Sequence, residues 1–156
     1  MKRWTLYLLV GLIFGIFDFY YQEMTKGLLH STLSWLSIAW IVWLIPVIPI
    51  ILHELKISKS IIKSALANVV TWATATIIYY LYIPFKLIFI GQASRSEMYF
   101  TNHGEDYYWD NVKYVFQHDV FGGIGRWIGV ATIGGFIFGL LFSIIILRFK
   151  KKGRLE

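Results

Sequence analysis

Two sets of side chains in this sequence are of types and spacings that could do chemistry. The first is Asp18, which closes an apolar run and follows Gly11 and Gly15. Residues at i, i+4 and i+7 share one face of a helix, so two positions without side chains and one carboxylate point the same way. An acid held there can relay a proton or an ion, or it can pair with a base and fix the register of two helices. The second reading is preferred, with Arg126 as the expected partner and Lys86 as the alternative. Glycines flank both members of the Asp18–Arg126 pair, so the two helices that carry them are expected to approach closely.

The second set is His103, Glu105, Asp106, Asp110, His118 and Asp119. Imidazole and carboxylate together can bind zinc or a similar divalent ion, and an outward-facing metal or enzyme site on His103, Asp106 and His118 is one hypothesis. The spacing argues against it. Asp106 and Asp110 share a helical face, but His103 precedes that helix and His118 lies near its end, so a solvated polar face is the expectation and no metal is expected.

Other motifs fail at specific positions. His53-Glu54 opens like a zinc-protease motif, yet the second histidine would fall on Ile57. Gly123-Ile124-Gly125 opens like a dinucleotide fingerprint, yet its third glycine would fall on Ile128 and no strand precedes it. Neither a nucleophile elbow nor a kinase signature occurs. No catalytic residue, no cofactor and no enzymatic activity are therefore expected. Asn68 and Thr71 belong to a stripe, Ser64, Asn68, Thr71 and Ala75, whose small polar residues suit close helix packing; an interhelical hydrogen bond is the expected role of Asn68.

The elements that must position these residues follow from composition. Of the 156 residues, 57% are hydrophobic and 15% charged, with a mean hydropathy of +0.59. A water-soluble domain carries about 25% charged residues, so a membrane protein is expected. With no cysteine, disulfides, thiolate metal sites and a lipid-modified cysteine are excluded. Spanning helices need roughly 20 apolar residues each, and four such runs are present, at about 4–21, 32–52, 64–82 and 123–147. The first follows Met1-Lys2-Arg3 and lacks a small-residue cleavage site, so a retained span is expected. Pro46 and Pro49 should kink or locally unwind the second. The third continues through Pro84 toward Ile90, and the stretch from His53 to Lys63 reads as a short basic connection on the membrane surface.

The fourth run carries Gly125-x-x-x-Gly129 and Gly135-x-x-x-Gly139 and ends in a basic tail, 148–156. Its glycines, with Gly11 and Gly15, are expected to pack the first span on the fourth. The long loop 91–122 holds an amphipathic pattern, with Tyr108, Val112, Val115 and Phe116 on one face and Asp106, Asp110, Lys113 and Gln117 on another. A surface helix is expected there, starting near Asn102-x-x-Glu105 and stopping at Gly122. Ten of the fifteen Lys and Arg residues fall on the side of the two termini, which places both termini in the cytoplasm of a cell membrane, taken to be bacterial. The net charge of +6 then reflects topology and contact with anionic lipid; no nucleic-acid partner is expected.

The fold expected is an all-α, up-down bundle of four transmembrane helices forming a single integral-membrane domain, with an amphipathic surface helix in the outer loop. The function expected is that of a small accessory or interaction subunit that binds another membrane protein or a second copy of itself. The alternative is a small oligomeric transporter or channel using the kinked second span, the polar stripe and Asp18.

Overall fold

The computed structural model describes residues 2–26, 40–90 and 106–152. Within them the chain is helical, with no strand, and four helical stretches are long and apolar enough to cross a membrane. The elements are α1 (Arg3–Lys26), α2 (Val47–Ser58), α3 (Ile61–Ile90), α4 (Tyr108–Tyr114), a π-helical segment (Val115–Phe121) and α5 (Gly122–Lys152).

Proline shapes the entry to α2. A short helical stretch at 40–42 gives way to tightened turns in which Trp43, Leu44 and Ile45 each donate to the carbonyl three residues back, at 3.0–3.2 Å. Pro46 caps α2 and Pro49 falls in its first turn, where a missing N–H removes no helical bond. The prolines thus interrupt the apolar run rather than bend one continuous helix. Downstream, α2 runs through Ser58, so most of the expected surface connection is helix. Only Lys59 and Ser60 turn the chain. Lys59 takes the left-handed conformation at φ 53°, its N–H donating to the Leu55 carbonyl, and the Ser60 hydroxyl accepts from the Lys63 N–H at the start of α3.

A helix with the expected amphipathic pattern is present: Tyr108, Val112 and Val115 are buried, whereas Asp106, Asp110, Lys113 and Gln117 are exposed. Its end differs. Tyr114, Val115 and Gly122 all hold right-handed helical angles, so α4, the π segment and α5 form one helical run. Glycine stops a helix when it takes the left-handed conformation; Gly122 sits at φ −64° and does not. The next residue, Gly123, lies under the ring of Tyr80, which occupies the space a Cβ would need. The expected start at Asn102 and Glu105 lies outside the described residues.

The core is organised around α3. Helices α1 and α5 each pack on it, and α2 packs on both α3 and α5. One cluster joins Phe19 of α1, Tyr79 and Ile83 of α3, and Val115 and Val120 of the π segment. Another joins Val47, Ile51 and Leu55 of α2 with Trp72 of α3 and Ala131 of α5. A third joins Tyr7, Ile50 and Ala67.

Candidate interhelical polar sites

The glycines explain why α3 is central. A Cβ on Gly11 would lie 2.7 Å from both the Thr71 carbonyl oxygen and Thr74 Cβ, and one on Gly15 would lie 2.6 Å from the Ala75 carbonyl oxygen. One on Gly139 would lie 2.6 Å from Ala65 Cα, and one on Gly135 would lie 3.3 Å from Val69 Cα. All four contacts are with α3. The close approach expected of the first and last spans therefore exists, but each makes it with the third. Gly125 and Gly129 are different: among the described residues nothing lies within 4 Å of a Cβ at either.

The polar stripe of α3 supports these contacts. Ser64, Asn68, Thr71 and Ala75 are all fully buried. Asn68 Nδ2 donates to the Gly135 carbonyl at 2.7 Å, linking α3 to α5. The Thr71 hydroxyl donates back to the Ala67 carbonyl at 3.1 Å and lies 3.4 Å from the Tyr7 carbonyl of α1.

Asp18 is also fully buried. With Gly15 one turn below pressed on Ala75, the carboxylate is enclosed where α1 meets α3. Its Oδ2 accepts from Gln22 Nε2 at 2.8 Å, and Gln22 Oε1 accepts from the Tyr79 hydroxyl at 3.1 Å. The Trp43 indole approaches the same carboxylate, while Oδ1 has no hydrogen-bond partner among the described residues. Arg126 does not join it. That side chain is exposed and its Nε turns back to the Gly122 carbonyl at 3.1 Å. The reason is the packing just described, because α5 lies against α3 rather than α1. Lys86, the other candidate, is nine-tenths buried and pairs with Glu23 at 2.8 Å, its ammonium over the rings of Phe19 and Tyr20.

A second polar cluster occupies the opposite end of α1. Glu54 of α2 is fully buried. It accepts from the Tyr7 hydroxyl at 2.6 Å and pairs with Arg3 at 3.3 Å. Since the Tyr7 proton is committed to Glu54, the His53 Nδ1 at 3.1 Å from the same oxygen is the donor in that contact. Arg3 and Tyr7 stand four residues apart on α1, so both reach one carboxylate. Sequence reasoning missed this cluster by ending the second span at Leu52. The signal was there: Glu54 lies at i+7 from Val47 and i+3 from Ile51, both of which are buried.

Among the described residues, the acids and histidines of the stretch 91–122 do not come together. Asp110 pairs with Lys113 at 3.4 Å on an exposed face, and the His118 ring stacks on Tyr114. His103 and Glu105 lie outside the described residues. Among those described, no three His, Asp or Glu side chains are grouped closely enough to hold a metal ion. No protein-family model, curated protein or solved structure matches the chain.

Proposed function

We propose that this chain is a small, non-enzymatic subunit of a membrane complex that recognises a partner protein through the open face of α5 within the bilayer. Four helices with both termini on the cytoplasmic side of a bacterial cell membrane form its up-down bundle, and the basic inner segments contact anionic lipid.

The observation that carries this reading is the contrast among the glycines. Where α1 and α5 approach α3 most closely, glycine stands at the contact, as at Gly11, Gly15, Gly135 and Gly139. Gly125 and Gly129 have the same spacing and meet nothing among the described residues. In a helix interior glycine costs about 1 kcal/mol relative to alanine, so two such residues with no described neighbour need a reason. Close approach of a partner helix supplies one. Ile133 and Ile137 continue the four-residue row begun by Gly125 and Gly129, and both are exposed.

A photo-crosslinking residue at Ile133, introduced in the native membrane, tests this. A single discrete adduct with one other polypeptide is expected, absent when the same residue replaces the buried Val47. Adducts with lipid alone at both positions would refute the proposal.

A further inference from the structure

We propose that Asp18 is a reversible proton-binding site, taking up its proton on Oδ1. The inference is independent of the partner reading and rests on what surrounds the carboxylate. It is fully buried, Oδ2 accepts from the Gln22 amide, the Trp43 indole approaches the carboxylate, and among the described residues Oδ1 has no hydrogen-bond partner.

An isolated carboxylate removed from water carries a desolvation cost of several kcal/mol unless something neutralises it. Among the described side chains, these charged or titratable groups on the elements around it are committed elsewhere or uncharged. On α1, Glu23 holds Lys86 of α3 at 2.8 Å, the Tyr20 hydroxyl bonds that of Tyr82, and the Tyr21 ring stacks on Phe17. On α3, the Tyr79 hydroxyl donates to Gln22 Oε1. On the π segment, His118 is exposed and stacked on Tyr114, and Asp119 is an acid itself. On α5, Arg126 bonds the Gly122 carbonyl. Trp43, from the turns before α2, brings an uncharged indole. Arg3 is bound to Glu54 at the far end of α1, 15 residues away and so about 22 Å along the helix.

Size selects the counter-ion. A metal cation needs several oxygen ligands around it, whereas the described neighbours of Asp18 are an amide N–H and an indole. A proton needs neither ligands nor space. The step balances simply: the carboxylate takes H⁺ from water to give the acid, the new O–H lying on Oδ1, and release returns both. Gln22 holds Oδ2 in either state. Its other end is tied to Tyr79, so the charge on Asp18 bears directly on the junction of α1 with α3.

The test uses the whole chain in lipid nanodiscs, isotope-labelled at the carboxyl carbon of aspartate and followed by NMR from mildly acidic to alkaline pH. The chain holds four aspartates, Asp18, Asp106, Asp110 and Asp119. Asp18→Asn assigns the signal, and Asp18→Glu, which also removes an aspartate resonance but keeps an acid, does so if the first variant does not fold. The expected result is one resonance, that of Asp18, passing from the acid to the carboxylate position across this range, with no response to added sodium. A carboxylate signal for Asp18 throughout the range, or an Asp18 signal displaced by sodium at fixed pH, would overturn the proposal.

Discussion

Replacing each helical glycine with alanine should divide the glycines into two groups by sign. At Gly139 the added carbon would stand 2.6 Å from Ala65 Cα, against about 3.5 to 4.0 Å for carbon atoms in contact. The neighbour is backbone and cannot rotate away, so α5 must move from α3 by about 1 Å along that line. Gly15 faces the same problem against the Ala75 carbonyl oxygen at 2.6 Å, and Gly11 against the Thr71 carbonyl oxygen at 2.7 Å. Overpacking of this kind costs about 1 to 3 kcal/mol, from which alanine's better helix propensity returns up to about 1. At Gly125 and Gly129 nothing is met among the described residues, so only the propensity gain of up to about 1 kcal/mol remains. The two groups should therefore differ by about 2 kcal/mol per site. Equilibrium unfolding of the purified variants in mixed detergent micelles measures this difference. If Gly139→Ala is neutral while Gly125→Ala destabilises, the helix contacts described here are not those of the folded protein.

Four further outcomes follow from single contacts. Tyr7→Phe removes the hydroxyl donor at 2.6 Å from buried Glu54 and should cost about 1.5 to 3 kcal/mol, with most of the loss absent when Glu54 is already glutamine in a double-mutant cycle. Asn68→Ala breaks the bond to the Gly135 carbonyl and should lower stability by only about 0.6 kcal/mol, the average for interhelical hydrogen bonds in a membrane. Lys59→Gly relieves a left-handed lysine at φ 53° and should raise the unfolding free energy by about 1 kcal/mol. Lys86→Met strands Glu23 and should cost about 1 to 2 kcal/mol, reversed in part by a second change, Glu23→Gln; thermal unfolding in detergent reads both.

The helices and their buried faces were legible in the sequence because apolar periodicity and helix geometry are local properties. The faces of α4 are an example, with Tyr108, Val112 and Val115 inward and Asp110 and Lys113 outward. The use of glycine for close contact was legible for the same reason. Which helix each glycine touches was not, because a glycine marks room for a neighbour without naming it. Pairing Asp18 with Arg126 assumed that α1 meets α5. With α3 between them, Asp18 is answered by Gln22 on its own helix and, through it, by Tyr79. Helix ends were the other failure. Gly122 carries the composition of a stop and the angles of a continuing helix, and Glu54 was lost because the span was ended where the charges begin.

The claim that α5 carries a partner is tested most directly by purifying the tagged chain from its native membrane in mild detergent and determining the mass of the intact particle. The account predicts a defined complex larger than one chain for the wild type. It also predicts that Gly125→Leu with Gly129→Leu reduces the particle to the free chain while helicity is kept and the unfolding temperature of the purified chain does not fall. A wild-type particle with the mass of a single chain, or a complex that survives both substitutions, would contradict it.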